Sequence, residues 1–148
     1  MSGHIIISKN LQETAKIAQD FVASLSKGDG ATIVCLKGDL GAGKTAFTKS
    51  VAQILGVMDI VTSPTFVIEK IYELPKPLRS PFSFLIHIDA YRLERSEELL
   101  HLGWEETIQN SENLILLEWP ERILNIIPKA VKTISFKFID DTTREITL

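Results

Sequence analysis

The eight residues Gly38-Asp39-Leu40-Gly41-Ala42-Gly43-Lys44-Thr45 constrain this chain more than any other stretch. They fit the pattern G-x-x-x-x-G-K-[ST], whose glycines let backbone N–H groups converge on phosphate oxygens without a Cβ in the way. Such a turn requires a strand before it and a helix after it. Both are legible. Thr32 to Leu36 is a short continuous apolar run, as a strand covered on both faces requires. Lys44 to Leu55 reads as a helix that Gly56 stops. The positive end of that helix points at the same spot as the turn amides. Lys44 is expected to reach the β- and γ-phosphates, and the Thr45 hydroxyl to ligate Mg²⁺. The expected ATP/ADP-binding segment is therefore Asp39, Leu40, Gly41, Ala42, Gly43, Lys44, Thr45 and Ala46.

The rest of the chain supplies an α/β frame. His4 to Ser8 reads as a short strand. Asn10, with Glu13 three residues later, caps a helix whose apolar residues Leu11, Ala15, Ala18, Val22 and Leu25 make one stripe. Lys27-Gly28-Asp29-Gly30 is expected to end that helix. Phe66 to Tyr72 and Phe84 to Ile88 read as strands, separated by a loop from Glu73 to Pro81. Ser96 caps a helix through Leu102, with Gly103 as its stop. Leu114 to Leu117 is a further apolar strand. Val131 to Ile139 alternates through Ile134, Phe136 and Phe138, and Asp140-Asp141 turns the chain into Arg144 to Leu148 as a terminal hairpin. The expected architecture is a three-layer P-loop NTPase-like fold with a mixed parallel and antiparallel central sheet, one domain over residues 1–148.

Bulk properties exclude several classes. Hydrophobic residues are 45% and charged residues 24% of the 148, values of an ordinary globular domain that buries roughly 70% of its unfolded surface. A net charge of −3 argues against an intrinsic nucleic-acid surface. The single cysteine, Cys35, cannot form an internal disulfide and reads as a buried, inert thiol on the strand before the P-loop. No apolar run approaches the roughly 20 residues that span a bilayer, and the first residues lack the pattern of a signal peptide. The expected location is the cytoplasm, away from membranes.

Ligands of an open α/β sheet sit beyond the carboxyl ends of its strands. Two apolar strands end there in an acid, Asp89 and Glu118. Each is suited to hold Mg²⁺ beside Thr45 or to orient an attacking water, and periodicity does not choose between these roles. Ser63-Pro64-Thr65-Phe66 suits either a simple turn or a loop whose Thr65 hydroxyl senses the γ-phosphate. Trp119 reads by default as a core aromatic. His87 and His101 lack metal-ligand spacing and read as packing or surface residues.

Taken together, Gly38-Asp39-Leu40-Gly41-Ala42-Gly43-Lys44-Thr45, Thr62-Ser63-Pro64-Thr65-Phe66, His87-Ile88-Asp89-Ala90-Tyr91-Arg92-Leu93 and Leu117-Glu118-Trp119-Pro120-Glu121 resemble the TsaE (YjeE) family. These are P-loop ATPases of tRNA threonylcarbamoyladenosine synthesis. The likeness runs over roughly Leu11 to Pro128 and lies in the combination of motifs and their order. It implies that Asp89 helps hold Mg²⁺ with Thr45, that Thr65 belongs to a switch-like loop, and that Glu118 and Trp119 lie at the nucleotide, Glu118 serving hydrolysis or binding. It further implies TsaD and TsaB as partners, with tRNA met only through that complex. The segment Glu73 to Ser83, with three prolines, is longer than the family pattern.

Two other classes accept a P-loop in a chain of this size. A small-molecule kinase would carry an arginine-bearing lid, yet Arg92 and Arg95 are the only close arginine pair. A GTPase switch would carry the guanine-reading N-K-x-D pattern, which is absent. No arginine finger is placed by pattern, and Arg92 is the candidate in cis, so slow intrinsic turnover is expected.

Overall fold

The computed structural model describes residues 3–58 and 68–148. Their order is β1 (Ile5–Ser8), α1 (Leu11–Ala23), β2 (Thr32–Lys37), α2 (Lys44–Ile54), β3 (Glu69–Glu73), β4 (Phe84–Asp89), α3 (Glu97–Leu100), α4 (Trp104–Gln109), β5 (Asn113–Glu118), a 3₁₀ segment (Pro120–Ile126), β6 (Lys132–Phe138) and β7 (Arg144–Thr147). The described strands form one sheet in the order β1-β7-β6-β2-β5-β4-β3. Its centre, β6-β2-β5-β4, is parallel, while β3, β7 and β1 pair antiparallel with their neighbours. The mixed sheet with helices on both faces is the fold expected from the sequence. No helix among the described residues is long and apolar enough to cross a membrane.

Strands buried on both faces need two cores, and β5 is buried at every position. On one face α1 and α2 pack over Val34, Leu36, Leu114 and Leu116, with Phe47 at the centre. Phe47 is fully buried, its ring centroid 5.4 Å from that of Phe136 and 6.0 Å from that of Phe21. On the other face Leu99, Trp104 and Ile123 cover Ile33, Cys35, Ile86, Ile88, Ile115 and Leu117. Each of these large side chains contributes about 1.5–3 kcal/mol by leaving water. Cys35 is 2% exposed, and burial pushes its thiol up to about 11, in keeping with an inert core residue.

The helices differ from expectation in detail. Asn10 does cap α1, its Oδ1 accepting the Glu13 N–H at 2.8 Å. The buried stripe, however, is Thr14, Ile17, Ala18 and Val22, while Leu11 is 73% exposed. Leu11 is the first helical residue, at the rim of a hollow beside the P-loop, with no sheet beneath it. The first turn is anchored instead by the Thr14 hydroxyl, 2.7 Å from that of Ser8. The helix also stops earlier, at Ala23, because the Ser24 hydroxyl donates to the Phe21 carbonyl and buried Leu25 draws the chain away. Ser96 stands at the N-cap of α3 as expected but makes no side-chain capping bond, and α3 ends at Leu100 rather than Leu102. The Ser96 hydroxyl donates to Asn125 Oδ1 instead, and the Glu98 carboxylate accepts the Glu94 and Arg95 N–H groups just before the helix. Gly103 stops that turn as expected, with φ +84°, but it also opens α4.

Candidate functional site

The cradle is built from the end of β2 outward. At Gly38, φ +149°, a Cβ would lie 2.6 Å from the Phe136 carbonyl oxygen, so only glycine lets the turn pass β6 this closely. Gly43, φ +110°, opens α2 without a side-chain cap, and the first turn of α2 holds no acid. The first N–H groups of α2 therefore have no side-chain acceptor of their own, the condition in which a helix start attracts an anion. A cavity of about 790 Å³ opens at this point. Leu40, Gly41, Gly43, Lys44, Thr45 and Ala46 line it from the P-loop side. Asp39 and Ala42 do not line it: Asp39 is exposed, and the buried Ala42 donates its N–H back to the Asp39 carbonyl at 3.1 Å.

Lys44 is the buried cation of the site, 5% exposed. Its Nζ donates to the Gly38 carbonyl and lies 3.8 Å from the centroid of the Trp119 ring. Burial lowers its pKa, and the charge of Glu118, then that of Asp89, works in the other direction. The ammonium thus has three stabilising neighbours inside the cavity: a carbonyl, an aromatic face and a pair of acids.

The acids come from neighbouring parallel strands. Asp89 and Glu118 are register partners at the ends of β4 and β5, so both side chains emerge on the same face of the sheet. Both line the cavity. Asp89 Oδ1 accepts the Tyr91 N–H at 3.0 Å, which fixes the turn after β4. Glu118 is 3% exposed, and its Oε2 lies 2.6 Å from Nε2 of His87, which is fully buried. Directly after it, Trp119 takes a left-handed conformation, φ +57° and ψ +53°, unusual for a bulky residue. That turn sets its ring at the edge of the second core, half-buried against it, where it also lines the cavity, over Lys44 and 5.0 Å from Tyr91. Trp119 thus packs on the core, the default expectation, and also faces the cavity.

A hydroxyl and two carboxylates form a hard-oxygen donor set, the kind Mg²⁺ takes together with substrate phosphates. Among the described residues no group of three or more His, Cys, Asp and Glu could hold a metal by itself. Thr65 and the segment Thr62 to Phe66 lie outside the described residues.

Three comparisons bear on this geometry. The family model described as threonylcarbamoyl adenosine biosynthesis protein TsaE matches residues 8–146. The chain belongs to this family. The tRNA threonylcarbamoyladenosine biosynthesis protein TsaE of Treponema pallidum is 33% identical over 142 residues, 96% of this chain and 97% of that protein. Its counterpart from Rickettsia prowazekii is 37% identical over 142 residues, 95% and 90% of the two chains. A crystal structure of YdiB from Bacillus subtilis superposes with a TM-score of 0.75 at 32% identity, covering 99% of this chain and 85% of that one. The TsaE match spans the P-loop, both acids and Trp119.

The structure brings one expected arginine to the site and adds one that no pattern assigned. Arg92, the candidate finger, lines the cavity, and so does Arg144. Arg144 packs its stem 3.4 Å from where a Gly43 Cβ would sit and donates through Nη1 to the carbonyls of Asp140, at 2.6 Å, and Thr143, at 3.0 Å. Nothing local in a hairpin strand marks such a residue, because the sheet order β7-β6-β2 is what brings it beside the P-loop. His87 did carry a signal: two residues before Asp89 on a strand, it had to share Asp89's face.

Proposed function

We propose that this chain binds ATP with Mg²⁺ in the P-loop and hydrolyses it. In doing so it drives the machinery of tRNA threonylcarbamoyladenosine (adenosine 37) modification. In this reading residues 1–148 are one ATPase domain, it works in the cytoplasm, its partners are TsaD and TsaB, and it meets tRNA only through them. One observation carries it: Lys44 and the paired carboxylates of Asp89 and Glu118 converge on one cavity at an uncapped helix start.

The residues divide the work. The turn amides and the N-terminus of α2 receive the β- and γ-phosphates, with the dipole of α2 adding to their attraction. Lys44 leaves the Gly38 carbonyl and the Trp119 face to meet the phosphate oxygens. Thr45 and one of the two acids hold Mg²⁺, which when bound neutralises charge on the phosphate oxygens. The remaining carboxylate orients the attacking water, and Trp119 covers Lys44 only until the phosphates arrive. Catalysis is then positioning and charge neutralisation, with no covalent intermediate on the protein.

Lys44→Ala tests the assignment. A charge-assisted contact is worth roughly 1.5–3 kcal/mol, so titration calorimetry should show ATP binding about tenfold to a hundredfold weaker. Equal affinity in variant and wild type would end the proposal. ATP turnover in the presence of TsaB and TsaD should likewise exceed that of the Lys44→Ala chain.

A further inference from the structure

His87 has no role in the chemistry just described, yet it is fully buried against a candidate acid. It stands two residues before Asp89 on β4 and is register partner to Leu116, two residues before Glu118 on β5. His87 is therefore the diagonal neighbour of Glu118 on one face, within reach across the strands. With Glu118 ionised, a carboxylate can only accept, so Nε2 carries the proton between them. The other ring nitrogen, Nδ1, has no hydrogen-bond partner among the described residues.

A polar ring in this position costs desolvation that an aliphatic side chain would avoid, so its one hydrogen bond calls for a reason. The surroundings of Glu118 supply two. Asp89, its register partner, presents a like charge alongside, an arrangement that pushes carboxylates apart. The last torsion of a glutamate is broad, so a carboxylate without a fixed partner turns freely. A donor 2.6 Å from Oε2 removes that freedom and leaves the second oxygen for the cavity that Glu118 lines.

We propose that His87 is a positioning residue that pins one oxygen of Glu118 and thereby aims the other at the P-loop cavity. The inference rests on the reading of Glu118 as a water-orienting or Mg²⁺-holding acid.

The test uses the full chain with His87→Phe, which keeps a ring but loses the donor. His87→Asn is a second loss variant, too short to reach Glu118, and His87→Gln keeps a donor near the Nε2 position. Single-turnover ATP hydrolysis and ADP affinity are measured for each, alone and with Glu118→Gln, and the histidine N–H signals are followed by NMR. His87→Phe and His87→Asn should slow turnover roughly tenfold while Mg²⁺-free ADP affinity stays within about threefold, and His87→Gln should recover most of the rate. In the Glu118→Gln background either loss should cost less than about twofold more, since groups acting as one unit are not additive. The Nε2–H signal of His87 should move and exchange faster in Glu118→Gln. Wild-type turnover in the loss variants, a further tenfold drop in the double variants, or a His87 signal indifferent to Glu118→Gln would each overturn the proposal. Equal turnover in wild type and Glu118→Gln would instead remove the role of Glu118, while the NMR signal still reported the His87 contact.

Discussion

The two walls of the cavity are made in opposite ways. The P-loop wall comes from one short stretch between Leu40 and Ala46, and its shape follows from local backbone rules: a close approach at Gly38 and a left-handed helix start at Gly43. The acid wall is assembled from β4 and β5, whose contributing residues His87, Asp89, Glu118 and Trp119 meet only because two parallel strands pair in one register. A local cradle depends first on its own residues, although Phe136 and Arg144 pack against its glycines. An assembled wall can be detuned from anywhere that holds its strands or side chains in place. In the function proposed here the first wall binds and the second governs turnover.

The largest effect expected from this contrast is in Glu118→Gln. Removing one preorganised polar group from an active site costs about 10²–10³ in rate. Single-turnover hydrolysis should fall by that order while ADP affinity changes less than about threefold. A variant that lost affinity and rate together would show that the acid wall is part of the cradle after all. That result would erase the division.

A smaller effect is expected from Trp119→Leu, which removes the aromatic face over Lys44. A cation–π contact of this kind is worth about 0.5–2 kcal/mol. The loss falls on the ligand-free protein, whose lysine gives up one of its partners. ADP affinity should therefore change by less than about tenfold, and the unfolding midpoint in urea should drop. A loss of affinity as large as that of Lys44→Ala would mean that Trp119 touches the nucleotide more than it does the lysine.

The smallest effect tests the floor beneath the cradle. Cys35 lies on β2, on the face opposite Leu36, and its thiol is pushed up to about 11 from the 9.0 of a free thiol. A group that keeps its proton longer when folded stabilises the fold fully below pH 9.0, and that contribution is lost as pH rises towards about 11. Alkylation at pH 8 should be far slower in the native protein than in urea, because both burial and the scarcity of thiolate oppose it. Fast native alkylation would mean that β2 opens, and a cradle hung from an opening strand could not be preformed.

Much of this molecule was legible in its sequence. The run Thr32 to Leu36, the octapeptide after it and the helix stopped by Gly56 were all readable, since each rests on neighbours within a few residues. So was the hairpin of β6 and β7, although Phe138, in step with Ile134 and Phe136, is 50% exposed and carries the Arg144 guanidinium 4.7 Å over its ring. The alternation of a strand gives a face but does not say where the core ends. Helix α4 and the 3₁₀ segment from Pro120 were not anticipated, being too short for apolar periodicity to show. Leu11 misled for a related reason, as its spacing matched the stripe but its place in the first turn left it beyond the sheet.

The sequence alone determined that a strand, a phosphate-cradling turn and a helix follow one another, because glycine φ freedom, a helix start and the reach of lysine are properties of adjacent residues. Only the tertiary structure decided which acids share a face, that Trp119 lies over Lys44, that Arg144 arrives from β7, and that His87 meets Glu118. Those facts depend on strand register and on a single left-handed residue. Both are set by the balance of packing over the whole sheet, which no short window of sequence contains.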